Sequence, residues 1–224
     1  MTEFAKRLIN DTTHVPLSAI NENKIQLTIK RLMDIIGASI GLLLLLPLFL
    51  IVALLIKLED PKGPILFSQI RVGKDEKEFK MYKFRSMVAD AEAKLDELLK
   101  YNEVTGAMFK MKDDPRITRI GKFIRKTSID ELPQLWNVLK GDMSLVGPRP
   151  PLVREVAEYT EYDKQRLLVT PGCTGLWQVS GRSNVGFEEM VELDIAYIKK
   201  RSVLLDMKII VKTVLLLVGS KNAF

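Results

Sequence analysis

The longest uninterrupted apolar stretch of the chain lies near its N-terminus. No charged residue occurs from position 35 to position 56, and a helix of this length can cross ~30 Å of hydrocarbon. Pro47 lies in the middle, where proline removes one backbone donor and clashes with the carbonyl four residues earlier. The pattern therefore predicts a membrane helix that is kinked or broken near Pro47.

Basic residues flank this stretch on both sides. Lys30 and Arg31 precede it, and Lys57 and Lys62 follow it. Because positive flanks favour the cytoplasmic side of a membrane, both ends of the helix are drawn toward the cytoplasm. A re-entrant helix satisfies both flanks, whereas a single tilted span with a proline kink is the alternative. The residues themselves leave both paths open.

Shorter periodic patterns follow the membrane segment. Residues 65–72 and 79–84 flank the polar stretch 73–78, which predicts a β-hairpin. Apolar residues at helical spacing predict a surface helix over residues 87–100 and another helix over residues 187–200.

The last apolar stretch, residues 203–218, carries Lys208 and Lys212 one helical turn apart. Such a helix can lie in the membrane interface with its lysines toward the headgroups. A core helix with two snorkelling lysines is the alternative. The chain as a whole is predicted to be α+β and mainly helical, with a small β-hairpin, amphipathic interfacial helices and an N-terminal re-entrant membrane helix.

Composition narrows the chemistry that the chain can perform. Its 224 residues carry a formal net charge of +6, which is compatible with nucleic acid, anionic lipid or a phosphorylated substrate. Cys173 is the only cysteine and His14 the only histidine. Intrachain disulfides and zinc sites of several Cys and His are therefore excluded. Any covalent catalysis is expected from Asp, Glu, Lys or Cys173.

Two adjacent carboxylates, Asp130 and Glu131, lie shortly before Pro133. Proline fits the first turn of a helix, so a helix is predicted to begin near residues 128–130. The carboxylates could cap that helix, with Ser128 and Glu131 forming a capping box. Alternatively, an ionised Asp130 could attack phosphorus without a general base, provided that cations offset the repulsion between anions.

Basic residues around the acidic pair favour phosphate chemistry. Arg125 precedes the pair closely, and Arg149 stands between two prolines. Because prolines restrict the backbone, the Arg149 guanidinium is expected to be presented rigidly, and a guanidinium can hold two phosphate oxygens. Lys83 and Arg85 fall on one face of the predicted second strand, which also suits an anionic ligand.

Several motifs in this order resemble the bacterial sugar transferase family. Its members are monotopic phosphoglycosyl transferases that move a sugar 1-phosphate from a nucleotide sugar onto polyprenyl phosphate. The resemblance covers about residues 28–218 and depends on the joint presence of the motifs. They lie at residues 30–34, 82–87, 128–134, 140–150 and 171–182.

The resemblance implies a two-step reaction. Asp130 matches the family nucleophile, which attacks the β-phosphorus of a UDP-sugar, expels UMP and forms a phosphosugar-aspartyl intermediate that polyprenyl (undecaprenyl) phosphate then attacks. Glu131 matches the second carboxylate and is expected to hold Mg²⁺. Arg125 and Arg149 match phosphate-binding positions, and Arg182 is expected near the nucleotide or sugar.

The resemblance also implies a topology and a setting. The helix is expected to be re-entrant, although Leu46 precedes Pro47 where many relatives carry serine. The domains are then a leader over residues 1–27, the re-entrant helix over 28–58 and a catalytic domain over 59–224 on the cytoplasmic face of the bacterial inner membrane. The reaction would be the first membrane step of exopolysaccharide, O-antigen or glycoconjugate synthesis, with glucose or galactose as the sugar.

Expected partners are a UDP-sugar, polyprenyl phosphate, membrane lipids and a second copy of the chain as a homodimer. No recognisable nucleic-acid motif is present, so nucleic acid is not an expected partner. The alternative function is a non-catalytic basic tether that binds anionic lipid or nucleic acid electrostatically. A tether needs only mobile lysines, and the proline-framed Arg149 argues against it.

Overall fold

The computed structural model of the chain describes residues 23–91, 93–101, 111, 113–181 and 185–219. Its elements confirm a mainly helical protein with a small β-hairpin. The helices are α1 (Lys24–Glu59), α2 (Leu95–Leu98), α3 (Arg119–Lys126), α4 (Gln134–Lys140), α5 (Val153–Ala157), α6 (Glu161–Lys164), α7 (Phe187–Lys200) and α8 (Val203–Gly219). The strands are β1 (Leu66–Val72), β2 (Glu78–Phe84), β3 (Ser144–Val146) and β4 (Gly172–Thr174).

Helix α1 contains 36 residues and runs through Pro47 without interruption. The predicted break near Pro47 is therefore not confirmed, since a helix can lose one backbone donor and still continue through its neighbouring hydrogen bonds. The helix begins at Lys24, before the predicted boundary at residue 28. Among the described residues, α1 is the one helix long and apolar enough to cross a membrane.

The N-terminal half of α1 is tied to the globular body by buried polar contacts. Lys30 Nζ lies 2.6 Å from Asp206 Oδ2 in α8. Asp34 Oδ1 accepts hydrogen bonds from Ser144 Oγ at 3.0 Å and from the Leu145 backbone N–H at 2.9 Å. The charged motif before the apolar segment thus joins α1 to α8 and to β3.

The C-terminal half of α1 is attached to the same body. Val52 and Ile56 pack in a cluster with Phe84 and Ile124. The body thus contacts both halves of α1, while the apolar residues between these contacts, such as Leu43, Leu44 and Leu46, are exposed. The two ends of this apolar helix therefore meet one and the same domain.

The opposite side of α1 is apolar and exposed, with Leu43 and Leu44 each 73% exposed. Helix α8 is divided in a similar way, since Ile209 is in the core while Leu215 is 65% exposed. The core alternative for residues 203–218 thus describes only one face of α8. Exposed apolar surface of this extent is typical of contact with a membrane or a partner.

The predicted hairpin is confirmed as β1 and β2, which pair antiparallel with Leu66 opposite Phe84. A second sheet, which the sequence did not predict, pairs β3 with β4 in parallel. Its strands have three residues each, too few to show an alternating pattern. The sheet brings the segment before Arg149 next to the turn that follows Cys173.

The predicted helix over residues 87–100 is wrong for its first part. Met87 forms a β-bridge with Ile117, and the Val88 N–H donates to the Arg116 carbonyl at 2.9 Å. Strand-like pairing with the segment before α3 therefore overrides the helical spacing of the apolar residues. The predicted helices at 187–200 and 203–218 are confirmed as α7 and α8.

Candidate active site

The acidic pair lies in a tight turn between α3 and α4. Ser128 adopts a left-handed conformation with φ 56°, and Ile129–Glu131 form a 3₁₀ turn. The predicted helix start is thus confirmed only as this turn, because α4 itself begins after Pro133. The Ser128 side chain makes no capping hydrogen bond, so the capping-box alternative is wrong.

Asp130 is buried, with 8% of its surface exposed. Burial, and secondly the adjacent Glu131 carboxylate, raise the pKa of Asp130 to about 6, although Lys83 and Arg125 act in the opposite direction. The side chain is therefore mostly ionised at neutral pH. Within the described part of the chain, no side chain donates a hydrogen bond to the Asp130 carboxylate, and the donor that acts on it is its own backbone N–H.

Glu131 has a different environment from its neighbour. Its side chain is 45% exposed and accepts a 2.7 Å hydrogen bond from Lys83 Nζ. Desolvation opposes ionisation, but Lys83, then Arg149 and Arg71, outweigh it and hold the pKa of Glu131 below its usual range. The two carboxyl groups thus differ in pKa: that of Glu131 lies below its usual range, whereas that of Asp130 lies closer to neutral pH.

Arg149 is half-buried and approaches the acidic pair from a separate loop. Its Nη1 lies 3.6 Å from Glu155 Oε2, and its backbone carbonyl accepts a hydrogen bond from Arg166 Nη2 at 3.4 Å. Arg166 is in turn bonded to Asp194 through a buried ion pair of 2.7 Å. The predicted rigid presentation of Arg149 therefore depends on a buried charge pair behind the loop as well as on the prolines.

Arg71 is a residue of this site that the sequence reasoning missed. It is only 6% exposed, and its Nη1 donates to the Pro150 carbonyl at 3.0 Å. Burial, and then the charge of Arg149, lower the pKa of Arg71 to about 10, so it remains charged at neutral pH. Its Nε has no hydrogen-bond partner among the described residues. An arginine at the buried end of a strand is the signal that could have identified it.

Arg85 does not join Lys83 as predicted. Strand β2 ends at Phe84, so the period-two argument does not extend to the next residue. The Arg85 guanidinium is buried and lies 2.6 Å from Asp60 Oδ2 at the end of α1. Its charge is thus neutralised by Asp60, and the structure gives no support to phosphate binding by Arg85.

The other predicted binding residues have different outcomes. Arg125 is in the last turn of α3, close enough for its charge to lower the pKa of Asp130 against the dominant effect of burial. Arg182 lies outside the described residues, and its placement stays a prediction. The structure therefore brings Lys83, Arg125 and Arg149 around the acidic pair.

A metal site enclosed by protein ligands is absent from the described part of the chain, where no three His, Cys, Asp or Glu side chains cluster suitably. Mg²⁺ commonly needs only one or two carboxylates, because waters and substrate phosphates complete its octahedron. The half-exposed Glu131 fits that role, since Lys83 bonds only its Oε1. The donor set suits a Mg²⁺ that arrives with a phosphorylated substrate.

Comparison with known proteins adds independent evidence. The family model described as bacterial sugar transferase matches residues 25–220. Galactosyl transferase CpsE of Streptococcus agalactiae is 54% identical over 198 residues, which cover 86% of this chain and 43% of that protein. The UDP-glucose:undecaprenyl-phosphate glucose-1-phosphate transferase of Klebsiella pneumoniae is 40% identical over 224 residues, covering 96% of this chain and 46% of that protein.

A shorter relative matches over most of its length. The exopolysaccharide production protein ExoY of Rhizobium meliloti is 40% identical over 189 residues, 83% of each chain. The chain thus spans less than half the length of the first two relatives and most of the third. Because the family model covers nearly the whole chain and the identities exceed 30%, the chain belongs to the bacterial sugar transferase family.

Proposed function

We propose that this chain transfers a sugar 1-phosphate from a UDP-sugar to polyprenyl phosphate through a covalent intermediate on Asp130. One observation carries the proposal: Asp130 is a buried carboxylate with no side-chain hydrogen-bond donor among the described residues, yet cations surround it. A carboxylate that served only as an ion-pair partner would be bonded to a cationic side chain, and none is bonded to Asp130 among the described residues.

In the first step, an Asp130 carboxylate oxygen attacks the β-phosphorus of the UDP-sugar. The bond between this phosphorus and the oxygen that bridges the two phosphates breaks, and UMP leaves with that oxygen and the bonding electrons. The product is an acyl phosphate that carries the sugar on Asp130. No proton has to move, because an ionised carboxylate is already a nucleophile.

In the second step, a phosphate oxygen of polyprenyl phosphate attacks the same phosphorus. The bond between phosphorus and the Asp130 oxygen breaks, which regenerates the carboxylate and yields a polyprenyl diphosphate sugar. Two anions approach each other in each step. Lys83, Arg125, Arg149 and Arg71 offset this repulsion electrostatically and can stabilise the charge that develops on the phosphoryl oxygens.

Glu131 is the residue that would hold Mg²⁺ beside the diphosphate. When bound, Mg²⁺ would neutralise phosphate charge and stabilise the departing UMP. Lys83 keeps the Glu131 side chain ionised and oriented, so the same lysine would serve both carboxylates of the pair.

We propose that α1 enters and leaves the membrane on the cytoplasmic face, where the catalytic domain lies. This path requires the continuous helix to bend within the bilayer. A straight helix of 36 residues is about 54 Å long, enough to cross the bilayer and place its ends on opposite sides. Here both ends contact one charged domain, through Asp34 near the start and Ile56 near the end. A domain of this kind is expected to remain on one side of the membrane.

The sugar is proposed to be a hexose. The relative from Klebsiella pneumoniae is named for glucose and the one from Streptococcus agalactiae for galactose, so both are candidates. Because another relative is named for exopolysaccharide production, we place the reaction at the start of the assembly of a surface polysaccharide.

Turnover tests the proposed reaction. The protein is reconstituted in lipid nanodiscs with polyprenyl phosphate and Mg²⁺ and is then given a panel of nucleotide sugars. With at least one UDP-hexose, we expect it to release UMP and form a lipid-linked sugar diphosphate. Release of UDP in place of UMP would contradict transfer of a sugar 1-phosphate. Salt-dependent lipid binding without any turnover across the panel would instead favour the tether.

The pKa of Asp130 predicts how the reaction depends on pH. A carboxyl pKa raised to about 6 means that the nucleophilic form is lost as the pH falls through this value. Below it, the rate of UMP release in a single turnover is expected to fall about tenfold per pH unit. A rate that stays constant down to pH 5, measured with substrate at saturation, would contradict an Asp130 nucleophile in this environment.

A further inference from the structure

The last residue of α1 contacts the first turn of α3. Glu59 Oε1 accepts a hydrogen bond from the Arg119 N–H at 2.7 Å, and its Oε2 accepts one from the Ile120 N–H at 3.1 Å. The Thr118 hydroxyl accepts from the Gly121 N–H at 2.9 Å. Helix α1 therefore supplies a carboxylate that accepts hydrogen bonds from two backbone amides at the start of α3. A third amide is capped by Thr118, the N-cap residue of α3 itself.

Helix α3 leads directly to the reacting carboxylate. It has eight residues, and Arg125 in its last turn is separated from Asp130 by the left-handed residue Ser128 and the beginning of the 3₁₀ turn. A helix this short moves as one unit, because each of its residues shares hydrogen bonds with the next turn. A displacement at its first turn is thus carried to Arg125 and to the turn that holds Asp130.

Neighbouring contacts fix the direction from which Glu59 reaches α3. Asp60, the next residue, is bonded to the buried Arg85 guanidinium at 2.6 Å. Lys57 Nζ donates to the carbonyls of Pro61 and Gly63, each at 2.9 Å. Three side chains therefore hold the end of α1. Of these three, only Glu59 accepts hydrogen bonds from the backbone amides of α3.

We propose that Glu59, at the end of the membrane helix, is a positioning residue for the phosphoglycosyl transfer reaction. Through its contact with α3, Glu59 holds Arg125 and Asp130 in their positions. The proposal rests on the proposed function. The hydrogen bonds from Arg119 and Ile120 to Glu59 would couple the position of α1 in the membrane to the geometry of the turn that holds Asp130.

A plain helix cap is the competing explanation. Glu59 is exposed to solvent, and an exposed charge at a helix start contributes modestly to stability. A cap would therefore change stability slightly and the chemistry not at all. A positioning residue changes the rate of the chemical step while substrate binding and stability stay nearly constant, and its effect depends on Arg125.

The test compares Glu59→Gln and Glu59→Ala with Glu188→Gln, a matched control that removes an exposed carboxylate from the first turn of α7. All variants are assayed as the full chain in bilayers. We expect Glu59→Ala to lower kcat about tenfold and Glu59→Gln to lower it less, because an amide oxygen still accepts one hydrogen bond. KM for the UDP-sugar and the melting temperature are expected to match those of Glu188→Gln.

A double-mutant cycle with Arg125→Lys provides the second readout. If Glu59 acts through α3, the loss in kcat of the Glu59→Ala/Arg125→Lys double variant is smaller than the product of the two single losses. Independent losses, an unchanged kcat, or a loss that follows the melting temperature would each overturn the proposal. A wild-type protein that released no UMP would refute the proposed function itself, which separates the two failures.

Discussion

Replacing Asp130 with asparagine is expected to lower turnover by about a thousandfold or more, the size of effect seen when a covalent nucleophile is removed. Asparagine has nearly the same shape and keeps the packing of the buried side chain, but its amide cannot form a stable acyl phosphate. UMP release and formation of the lipid-linked product are measured together, since both require the Asp130 oxygen.

Asp90→Asn is the matched control, because it makes the same chemical change at an exposed carboxylate whose ion-pair partner among the described residues is Lys94. Its turnover is expected to equal that of the wild type. An Asp130→Asn protein that is folded and turns over like Asp90→Asn would remove Asp130 from the mechanism. The reaction would then have to proceed by direct transfer between the two substrates.

The second large effect is expected from the buried ion pair behind the Arg149 loop. Arg166→Met should lower the free energy of unfolding by about 3–5 kcal/mol, because it leaves Asp194 as an uncompensated buried charge. Asp194 is completely buried, and Arg166 also donates to the Tyr159 hydroxyl at 2.8 Å. Thermal unfolding of the detergent-solubilised protein measures the loss.

Two further variants decide how the loss arises. Lys164→Met removes a partner of Glu161 in a mostly exposed pair and should cost less than about 1 kcal/mol. Arg166→Met combined with Asp194→Leu should recover much of the stability, since no buried charge then remains without a partner. Equal stability of Arg166→Met and Lys164→Met would contradict a structural role for the buried pair.

The sequence predicted those helices and strands whose apolar residues recur at regular spacing within the element itself. The hairpin of β1 and β2 follows from alternation on either side of a polar turn, and α7 follows from helical spacing over 14 residues. The Asp130-Glu131 pair was likewise recognised from neighbouring residues. Continuity through Pro47 was missed, because the rule for proline describes a tendency that the surrounding helix can overcome.

Contacts between distant residues account for the errors. Arg85 is neutralised by Asp60, and Arg71 reaches the Pro150 carbonyl, yet neither partner can be inferred from spacing along the chain. The pairing of β3 with β4 has the same origin, because each strand is stabilised by a partner that is far away in sequence. Buried charges of this kind require knowledge of the fold before their partners can be named.

The separate states of Asp130 and Glu131 illustrate the same limit within one dipeptide. The sequence presents two equivalent acids, and only the fold buries Asp130 while directing Glu131 toward Lys83. Their opposite pKa shifts follow from that difference in environment. Attack by Asp130 was raised by the residues as one alternative and is implied by the family resemblance, and it stays a proposal that the environment of Asp130 supports.

The most direct test of the covalent mechanism is a single incubation of wild-type protein with its UDP-sugar in the absence of polyprenyl phosphate. We expect UMP to be released in an amount equal to the enzyme, and mass spectrometry to find a sugar phosphate on the peptide containing Asp130, which disappears when the lipid is added. UMP release that requires the lipid, with no sugar phosphate on Asp130 at any time, would contradict the covalent mechanism.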